Sequence, residues 1–357
     1  MSKKILVAMS GGVDSSVAVY VLKQQGFDCT GVTMKLFGNE DIGVGQGKTC
    51  CSLEDVTDAR NVAYAMGIPY FVFNFTEDFK RQVINRFIEG YQNGATPNPC
   101  IDCNRHIKFE RLLHRAKQLD MDYIATGHYA RIEHDAGSGR YLLKKAADST
   151  KDQSYVLYAL TQEQLSCTLF PLGDLHKSAV RGIAKEQGFV NADKRDSQDI
   201  CFAPDGDYAD FIERTTGAKN ESGNFIDLHG NILGKHKGMI HYTIGQRKGL
   251  GLSRKTPVYV QSKNVADNTV TLCEKEGLFA RSLDVSDFNW IACEKINSPM
   301  RVKAKIRYNQ TERWSTVTQV AGDTVHIEFD EPQWAITKGQ AAVLYDGDVV
   351  VGGGTIL

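Results

Sequence analysis

The sequence predicts an α/β protein, with a doubly wound parallel-sheet domain followed by a small central domain and a C-terminal β-barrel. In the first half of the chain, strand signals alternate with helix signals, which is typical of a parallel sheet covered by helices. From about residue 284, short strand signals follow one another closely with turns between them, which indicates a small antiparallel barrel or sandwich. We therefore expect domains at residues 1–205, 206–280 and 281–357.

The first half contains four apolar runs of strand length and four longer segments with helical periodicity. The predicted strands are Ile5–Met9, Cys29–Lys35, Tyr70–Phe75 and Tyr123–Thr126. The predicted helices are Val17–Gln25, Leu53–Met66, Phe79–Gly90 and Ile107–Leu119. In the last part of the chain we expect strands at Val302–Tyr308, Thr316–Val320, Thr324–Phe329, Ala341–Tyr345 and Val349–Val351.

The composition is that of a soluble globular protein, with 42% hydrophobic and 24% charged residues among 357. No apolar run reaches the length of a membrane span, and the first residues lead directly into a strand rather than a signal peptide. We therefore expect a cytoplasmic protein with no membrane partner. Nine cysteines without a secretion signal argue against a structural disulfide framework, so their chemistry should be catalytic, redox or metal-binding.

The apolar run at residues 5–9 ends in Ser10-Gly11-Gly12-Val13-Asp14-Ser15, and a helical pattern follows from Val17. This order predicts a buried strand, a glycine turn and the start of a helix. Glycine lets a backbone approach an anion closely, and serine hydroxyls with the first N–H groups of a helix can hold a phosphate. The segment therefore predicts a phosphate-binding loop.

A second glycine-rich segment, Gly43–Thr49, superficially matches the Walker A pattern. That pattern requires glycine at position 42, where the chain has Ile42, and no clear strand leads into the segment. We therefore predict a surface loop here rather than a second phosphate site.

Positive charge is concentrated in two places although the net charge is only −1. No Asp or Glu occurs from Leu228 through Ala266, a stretch that would attract a polyanion or be a solvated basic loop. It contains Lys235, Lys237, Arg247, Lys248, Arg254, Lys255 and Lys263, together with His236 and His241. In segment 301–308, basic and apolar residues alternate, which on a strand places four cations on one face. We favour RNA as the partner of that face over simple solvation.

Two cysteines lie in polar loops. Cys103 follows Thr96-Pro97-Asn98-Pro99-Cys100-Ile101-Asp102, and we expect it just before a helix capped by Asn104. A helix N-terminus and nearby cations lower a thiol pKa, so we expect a partly ionised Cys103 rather than a buried structural cysteine. Cys201 lies in a similar loop, segment 197–204. We interpret Cys29, Cys167, Cys273 and Cys293 as packing residues, and have no functional interpretation of Cys50 and Cys51.

Six motifs together resemble the tRNA-specific 2-thiouridylase family of the PP-loop ATP pyrophosphatases. They are SGGVDS, TPNPCIDCNRHIKF, ATGHYA, KDQSYVLY, DSQDICF and HYTIGQRKGLG, in that order over most of the chain. The resemblance implies a PP-loop domain, a small central domain and a C-terminal β-barrel. It also implies that ATP adenylates O2 of uridine 34 in tRNAs of the Lys, Glu and Gln type. Sulfur from a protein persulfide then replaces that oxygen, with release of AMP and pyrophosphate.

The same resemblance implies roles for individual residues. It makes Cys103 the catalytic nucleophile and Cys201 the persulfide carrier, supplied by a cysteine desulfurase or a sulfur-relay protein. The residues implied to bind ATP are Ala8, Met9, Ser10, Gly11, Gly12, Val13, Asp14, Ser15, Met34 and Gly127, with Mg²⁺ at Asp14. The residues implied to contact tRNA are Asn98, Pro99, Cys100, His128, Lys151, Asp152, Gln153, Arg307, Tyr308 and Gln340.

Cys100 departs from some members of the family, which have aspartate there, and it creates a Cys-x-x-Cys pair with Cys103. An iron–sulfur cluster on Cys100, Cys103 and Cys201 is therefore an alternative to the persulfide. The persulfide is favoured, because the sequence matches the persulfide-type family more closely. Two further alternatives are a PP-loop amide ligase and a non-catalytic RNA-binding protein. The first leaves the two thiols and the basic strand unexplained, and the second leaves Ser10, Asp14 and Ser15 unexplained.

Overall fold

The structure is a computed structural model that describes residues 2–38, 53–194, 200–203, 206–218 and 220–357. The predicted surface loop Gly43–Thr49, together with Cys50 and Cys51, lies outside the described residues, as does most of the DSQDICF motif. No helix in the described ranges combines the length and apolar character that a membrane span needs.

The N-terminal part is built on a five-stranded parallel sheet of order β3-β2-β1-β4-β7. The strands of this part of the chain are β1 (Lys4–Ala8), β2 (Asp28–Lys35), β3 (Tyr70–Asn74), β4 (Tyr123–Ala125), β5 (Arg131–Asp135), β6 (Arg140–Lys144) and β7 (Thr168–Leu169). The order reverses at β1, so the carboxyl ends of β1 and β4 flank a crevice in which such sheets bind ligands. All four strands predicted here are present, and β7 adds a fifth.

The sheet is covered by helices whose apolar faces explain their positions. They are α1 (Val13–Gln24), α2 (Leu53–Ala65), α3 (Thr76–Phe79, Lys80–Ile84 and Asn85–Gln92), α4 (Pro99–Asp102, Cys103–Arg111 and Leu112–Gln118), α5 (Gln162–Ser166) and α6 (Lys177–Glu186). One face of the sheet packs with α1, α2 and α6, and the other with α3 and α4. The middle segments of α3 and α4 are π-helical, a conformation often found at functional sites.

Helix α4 begins earlier than the sequence predicted. Asn98 is the N-cap and accepts a 3.1 Å hydrogen bond from the N–H of Cys100, while Pro99 occupies the first helical position. Asn104, predicted to be the cap, instead lies within the helix, buried, and donates a 2.9 Å bond to the carbonyl of Val156. The prediction that Cys103 precedes the helix is therefore wrong, because a proline preset for the first helical turn starts it at residue 99.

The central part combines α7 (Tyr208–Thr216) with a four-stranded sheet of order β10-β11-β8-β9. Its strands are β8 (Gly223–Ile226), β9 (Ile232–His236), β10 (Tyr259–Asn264) and β11 (Thr269–Cys273). A small core of Phe225, Tyr242, Leu250, Val260 and Val270 fills one face of the sheet.

The C-terminal part is a closed six-stranded barrel, in the order β12-β15-β14-β13-β16-β17 with β17 pairing back to β12. Its strands are β12 (Phe279–Trp290), β13 (Met300–Lys305), β14 (Arg313–Ala321), β15 (Thr324–Trp334), β16 (Ala341–Asp346) and β17 (Val349–Ile356). The five predicted strands are present, and β12 was not predicted. Strand β17 extends past its predicted end through Gly352–Gly354. Strand β12 lies so close to it there that a Cβ at Gly352 would be 2.5 Å from the carbonyl oxygen of Asn289, so this part of the strand requires glycine.

The barrel and the central sheet both contact the segment that precedes α4. The Thr96 N–H donates to the carbonyl of Lys338 (2.8 Å), and the Gln340 side chain donates to the carbonyl of Thr96 (2.6 Å). From the central sheet, Lys263 Nζ lies 3.4 Å from the carbonyl oxygen of Ala95 and 3.1 Å from that of Tyr242. Lys263 therefore links the central sheet to the first domain through hydrogen bonds. It is not the exposed cation that the basic stretch predicted.

Burial lowers the pKa of Lys263 to about 8, against 10.5 for an ordinary lysine. Between these values the unfolded chain binds more protons than the folded one, so the Lys263 contribution to stability rises with pH. We expect the wild-type protein to gain about 1–2 kcal/mol relative to Lys263→Met between pH 7.5 and 10. Urea unfolding midpoints measure this difference, with Lys275→Met, an exposed lysine of the same part of the chain, as the control. If the difference in free energy of unfolding between the wild-type protein and Lys263→Met does not change with pH, the expectation is contradicted.

Candidate active site

The phosphate loop follows β1 and is shaped by two glycines. Gly11 has a φ of 77°, and a Cβ there would lie 2.8 Å from the Cα of Asp55. Gly127, at the carboxyl end of β4, packs so closely that its Cβ would lie 2.8 Å from the backbone nitrogen of Ser15. Any larger residue at either position would displace the loop, so both glycines are required by close approach.

Hydrogen bonds within the loop hold it in place. Ser10 N–H donates to Ser15 Oγ (3.1 Å), and the hydroxyls of Ser15 and Ser16 donate to the carbonyl of Gly12 (3.0 and 3.2 Å). From far along the chain, Asn191 Nδ2 donates to the carbonyl of Gly11 and to Ser16 Oγ, both at 2.9 Å. The shape of the loop is thus set by hydrogen bonds within the protein.

Asp14 in the first turn of α1 is neutralised by a lysine that the sequence did not reveal. Lys177 Nζ lies 2.7 and 2.8 Å from the two carboxylate oxygens, and the Tyr129 hydroxyl donates to Oδ1 at 2.8 Å. Lys177 is 8% exposed and is the first residue of α6. A buried ammonium beside a phosphate loop can compensate phosphate charge directly, so Lys177 belongs with the predicted nucleotide residues.

The other predicted nucleotide residues surround the same crevice. Ala8, Met9 and Val13 are buried beneath the loop, and Met34 is half-buried near the end of β2. One carboxylate with phosphate oxygens is a ligand set that Mg²⁺ prefers. Both Asp14 oxygens accept from Lys177 here, so Asp14 would hold Mg²⁺ only once that ammonium moved aside.

The predicted thiols lie in different environments. Cys100 is exposed in the first turn of α4, whereas Cys103 is only 7% exposed and packs in the apolar core. The expectation of a thiol outside the core is thus wrong for Cys103, which lies one helical turn beyond Cys100, where the helix packs on the apolar cluster. Cys201 is half-buried and packs against the same apolar cluster as Cys103. Its neighbour Phe202 is fixed between the rings of Phe79 and Phe87.

Among the described residues, no group of three or more His, Cys, Asp or Glu side chains is arranged to hold a metal ion. Cys100, Cys103 and Cys201 therefore do not form a ready iron–sulfur site in this structure.

Residues predicted to contact tRNA converge from four separate segments. The Tyr308 hydroxyl donates to the carbonyl of Asp152 (3.1 Å), and Gln340 bonds to Thr96, two residues before Asn98. Burial, with smaller contributions from Asp152 and Cys100, raises the pKa of Tyr308. Asp152 accepts from Ser154 Oγ at 2.8 Å, and Gln153 Oε1 accepts from the N–H of Tyr129 at 2.9 Å. The residues around Cys100 thus form one surface built from the first domain and the barrel.

His128 lies beneath this surface rather than on it. Its side chain is between Phe109 and Phe170, it is 9% exposed, and Nδ1 is 2.7 Å from the hydroxyl of Thr126. Burial, and secondarily Lys108, holds its pKa well below the ordinary value. His128 is therefore neutral here, and its contact with tRNA stays a prediction.

The basic strand β13 alternates as predicted, with Val302 and Ala304 in the barrel core. Its cations differ in their surroundings. Arg301 pairs with Asp330, and both Arg301 and Lys303 lie 5.3 Å from the half-exposed ring of Trp314. Lys305 lies 5.6 Å from the Tyr155 and Tyr308 rings, while Arg307, beyond the strand, donates to the carbonyl of Ala335.

Comparison with known proteins gives consistent matches over the whole chain. Residues 3–205 match the tRNA methyl transferase HUP domain, residues 209–274 the tRNA methyl transferase PRC-barrel domain, and residues 280–356 the aminomethyltransferase beta-barrel domain. The tRNA-specific 2-thiouridylase MnmA of Clostridioides difficile is 54% identical, covering 100% of this chain and 98% of that protein. The protein of the same name from Clostridium acetobutylicum is 51% identical, covering 100% of both chains. This chain belongs to the tRNA-specific 2-thiouridylase family.

Membership of the 2-thiouridylase family confirms the resemblance that the six motifs indicated. It also confirms the predicted fold, with a parallel-sheet domain, a small middle domain and a closed barrel. Three residues that contact the phosphate loop were not among the site residues predicted from the sequence. They are Lys177, Tyr129 and Asn191. Lys177 and Asn191 are 163 and 180 residues from their partners, so periodicity and spacing gave no signal for them.

Replacing Lys177 by Met should slow ATP–pyrophosphate exchange by about 10²-fold, since one charged contact to developing negative charge is removed. The matched control is Lys185→Met, an exposed lysine on the same helix whose partner is Asp193. Retained tRNA binding by the Lys177 variant shows that it is folded. Equal exchange rates in the two variants would contradict a role for Lys177 at the phosphates.

Proposed function

We propose that this chain replaces O2 of uridine 34 by sulfur in tRNAs of the Lys, Glu and Gln type, using ATP and a protein persulfide. The observation that carries the proposal is the common surface around Cys100, to which the first domain and the barrel both contribute predicted tRNA residues. A preformed phosphate loop at the carboxyl end of β1 supplies the nucleotide site. The relatives named as tRNA-specific 2-thiouridylases support the same substrate.

In the first step, uracil O2 attacks the α-phosphate of ATP and pyrophosphate leaves, so the base carries AMP as a leaving group. The residues of segment 8–15 hold the pyrophosphate through backbone N–H groups and serine hydroxyls, and Lys177 offsets its charge. Asp14 would hold Mg²⁺ once Lys177 turned from its carboxylate, and the ion would supply further positive charge to the phosphates. Met34 and Gly127 complete the proposed ATP site.

In the second step, sulfur reaches C2 of the base from a persulfide on Cys201. Cys103 thiolate attacks the inner sulfur of Cys201–S–SH, which forms a Cys103–Cys201 disulfide and releases hydrosulfide. Hydrosulfide adds to C2, and AMP leaves with the original oxygen. Alternatively, the persulfide attacks C2 itself and Cys103 then resolves the adduct. Both routes end in the same disulfide, which a cellular thiol reductant returns to two thiols.

The burial of Cys103 suits this chemistry, because hydrosulfide released in an apolar site is kept from water. Packing of Cys201 against the same apolar cluster supports transfer between the two sulfurs. The persulfide on Cys201 comes from a cysteine desulfurase or a relay protein. A cluster on Cys100, Cys103 and Cys201 is the less supported route, given the arrangement of the described residues.

The proposal divides the work among the three predicted domains. Residues 1–205 bind and use ATP, while residues 206–280 and 281–357 bind tRNA. Asn98, Pro99 and Cys100 lie nearest the reacting base, and Lys151, Asp152 and Gln153 touch tRNA beside Tyr308. Arg307, Gln340 and His128 complete the proposed tRNA contacts.

The experiment that tests the function is thiolation of unmodified lysine tRNA by the purified protein with ATP, Mg²⁺, cysteine, a cysteine desulfurase and reductant. Sulfur on the RNA is measured as retardation in an organomercury gel. We expect retardation that depends on ATP. Activity only after anaerobic iron–sulfur reconstitution would replace the persulfide route by the cluster route, and failure under both conditions would refute the function.

Replacing either Cys103 or Cys201 by Ser should abolish thiolation to below about 1% of wild type, because each route requires both sulfurs. ATP–pyrophosphate exchange in the presence of tRNA should remain, since neither thiol takes part in adenylation. Cys293→Ser, a half-buried cysteine of the barrel, is the control and should keep full activity. Loss of exchange in the two thiol variants would show that they act in adenylation or folding rather than in sulfur transfer.

A further inference from the structure

The central domain has a basic loop whose charges are not compensated by its surroundings. Residues 243–258 connect the turn Met239–His241 to β10 and expose Arg247, Lys248, Arg254 and Lys255. None of these four side chains forms an ion pair or hydrogen bond with any residue that the structure describes. Like charges held close together repel one another, and an anion placed between them relieves that repulsion.

The loop also forms a pocket. Its volume is about 240 Å³, roughly that of eight water molecules at about 30 Å³ each. Arg247 and Arg254 both line it, with Thr256 as a further polar group, while Leu250 and Leu252 form its apolar part. Two guanidinium groups on one pocket match the geometry with which proteins hold phosphate oxygens.

The backbone of the loop supplies further donors. The N–H groups of residues 247–256 donate no hydrogen bond to any described residue. Gly249 and Gly251 have φ angles of 78° and 70°. Turns of this kind are the backbone conformations from which anion-binding concavities are made. Uncommitted N–H groups thus accompany the arginines around the same pocket.

The loop is held at its base. The Gln246 side chain accepts from the N–H of Thr243 (2.9 Å) and donates to the carbonyl of Lys248 (3.0 Å). Gly245 N–H donates to the carbonyl of Val260, and Val260 N–H donates to that of Gln246, at 2.8 and 3.0 Å. Leu250 is buried in the core of the domain. These contacts hold the start of the loop, next to Arg247, against the rest of the domain.

We propose that the pocket between Arg247 and Arg254 binds backbone phosphates of the tRNA. This inference rests on the proposed function and gives the central domain a defined contact in it. Arginine, lysine and backbone N–H groups are common donors to phosphate oxygens, and the loop exposes no aromatic ring on which an unpaired base could stack. A protein partner is less suited to the loop, since residues 243–258 expose no large hydrophobic side chain of the kind that dominates protein interfaces.

The test compares Arg247→Gln/Arg254→Gln with Lys275→Gln/Lys295→Gln, which removes the same charge from exposed lysines elsewhere. Binding of full-length protein to unmodified lysine tRNA is measured by fluorescence anisotropy between about 50 and 200 mM KCl. We expect the arginine variant to bind about tenfold more weakly, and its slope of log Kd against log salt to fall by about 1.5, as for two lost phosphate contacts. The lysine variant should match wild type.

Because all four positions are exposed, both variants should fold, and circular dichroism with ATP–pyrophosphate exchange verifies that they do. Unchanged affinity and salt slope in the arginine variant would overturn the assignment. Normal tRNA binding with slower persulfide loading from a cysteine desulfurase would overturn it in favour of a protein-docking loop. Saturable binding of sodium phosphate alone, lost in the variant while tRNA binding is kept, would overturn it in favour of a free-anion site. Absence of thiolation by the wild-type protein refutes the proposed function itself, independently of this loop.

Discussion

The position of the thiol helix depends on two hydrogen bonds made by the backbone of Thr96. Its N–H donates to the carbonyl of Lys338, and its carbonyl accepts from Gln340, so the barrel holds both backbone polar groups of this residue. Asn98, two residues later, caps α4 and thereby sets where the helix begins. A closed barrel is a rigid reference, and it fixes the start of a helix that belongs to another domain. Cys100 lies exposed in the first turn of that helix, and Cys103, one turn further along, packs in the core.

At the phosphate loop of the first domain, charge is balanced by neighbouring side chains. The Asp14 carboxylate would be costly to bury alone, and Lys177 with Tyr129 satisfies it within the crevice. An ammonium held in this way is available to phosphate oxygens without a large rearrangement. Hydrogen-bond donors and charges that folding has already placed need no reorganisation when the reaction occurs, and this is the basis of electrostatic catalysis.

The sequence predicted the fold well where local signals are strong. Alternating apolar runs identified the parallel sheet, and turn residues identified most barrel strands. It failed where tertiary packing decides. The triplet Gly352–Gly354 has the composition of a turn, yet it continues β17 because the Tyr158 ring and the backbone of β12 leave no room for side chains. Lys263 is an ordinary basic residue in the sequence, and only the meeting of two domains buries it.

In the candidate site, too, features set by local sequence were predictable and features set by tertiary packing were not. The phosphate loop was predictable because glycine, serine and aspartate are placed there by backbone geometry within a few residues. The burial of Cys103 was not, since its polar sequence neighbours Asn104 and Arg105 are satisfied by distant groups. Asn104 bonds to Val156, and Arg105 pairs with Asp287 of the barrel. The polar residues next to Cys103 in the sequence therefore led to the wrong prediction that its thiol is exposed.

Asn191 joins two parts of the site that the chain separates widely. Its side chain holds Gly11 and Ser16, and three residues later Lys194 pairs with Asp55 and Asp58 of α2. In the proposed reaction the sulfur is carried by Cys201, which follows Lys194 by seven residues in the sequence. The contacts of Asn191 and Lys194 therefore connect the loop proposed to hold pyrophosphate with the part of the chain that leads to the proposed sulfur carrier. Loss of those contacts should impair both adenylation of the base and delivery of sulfur.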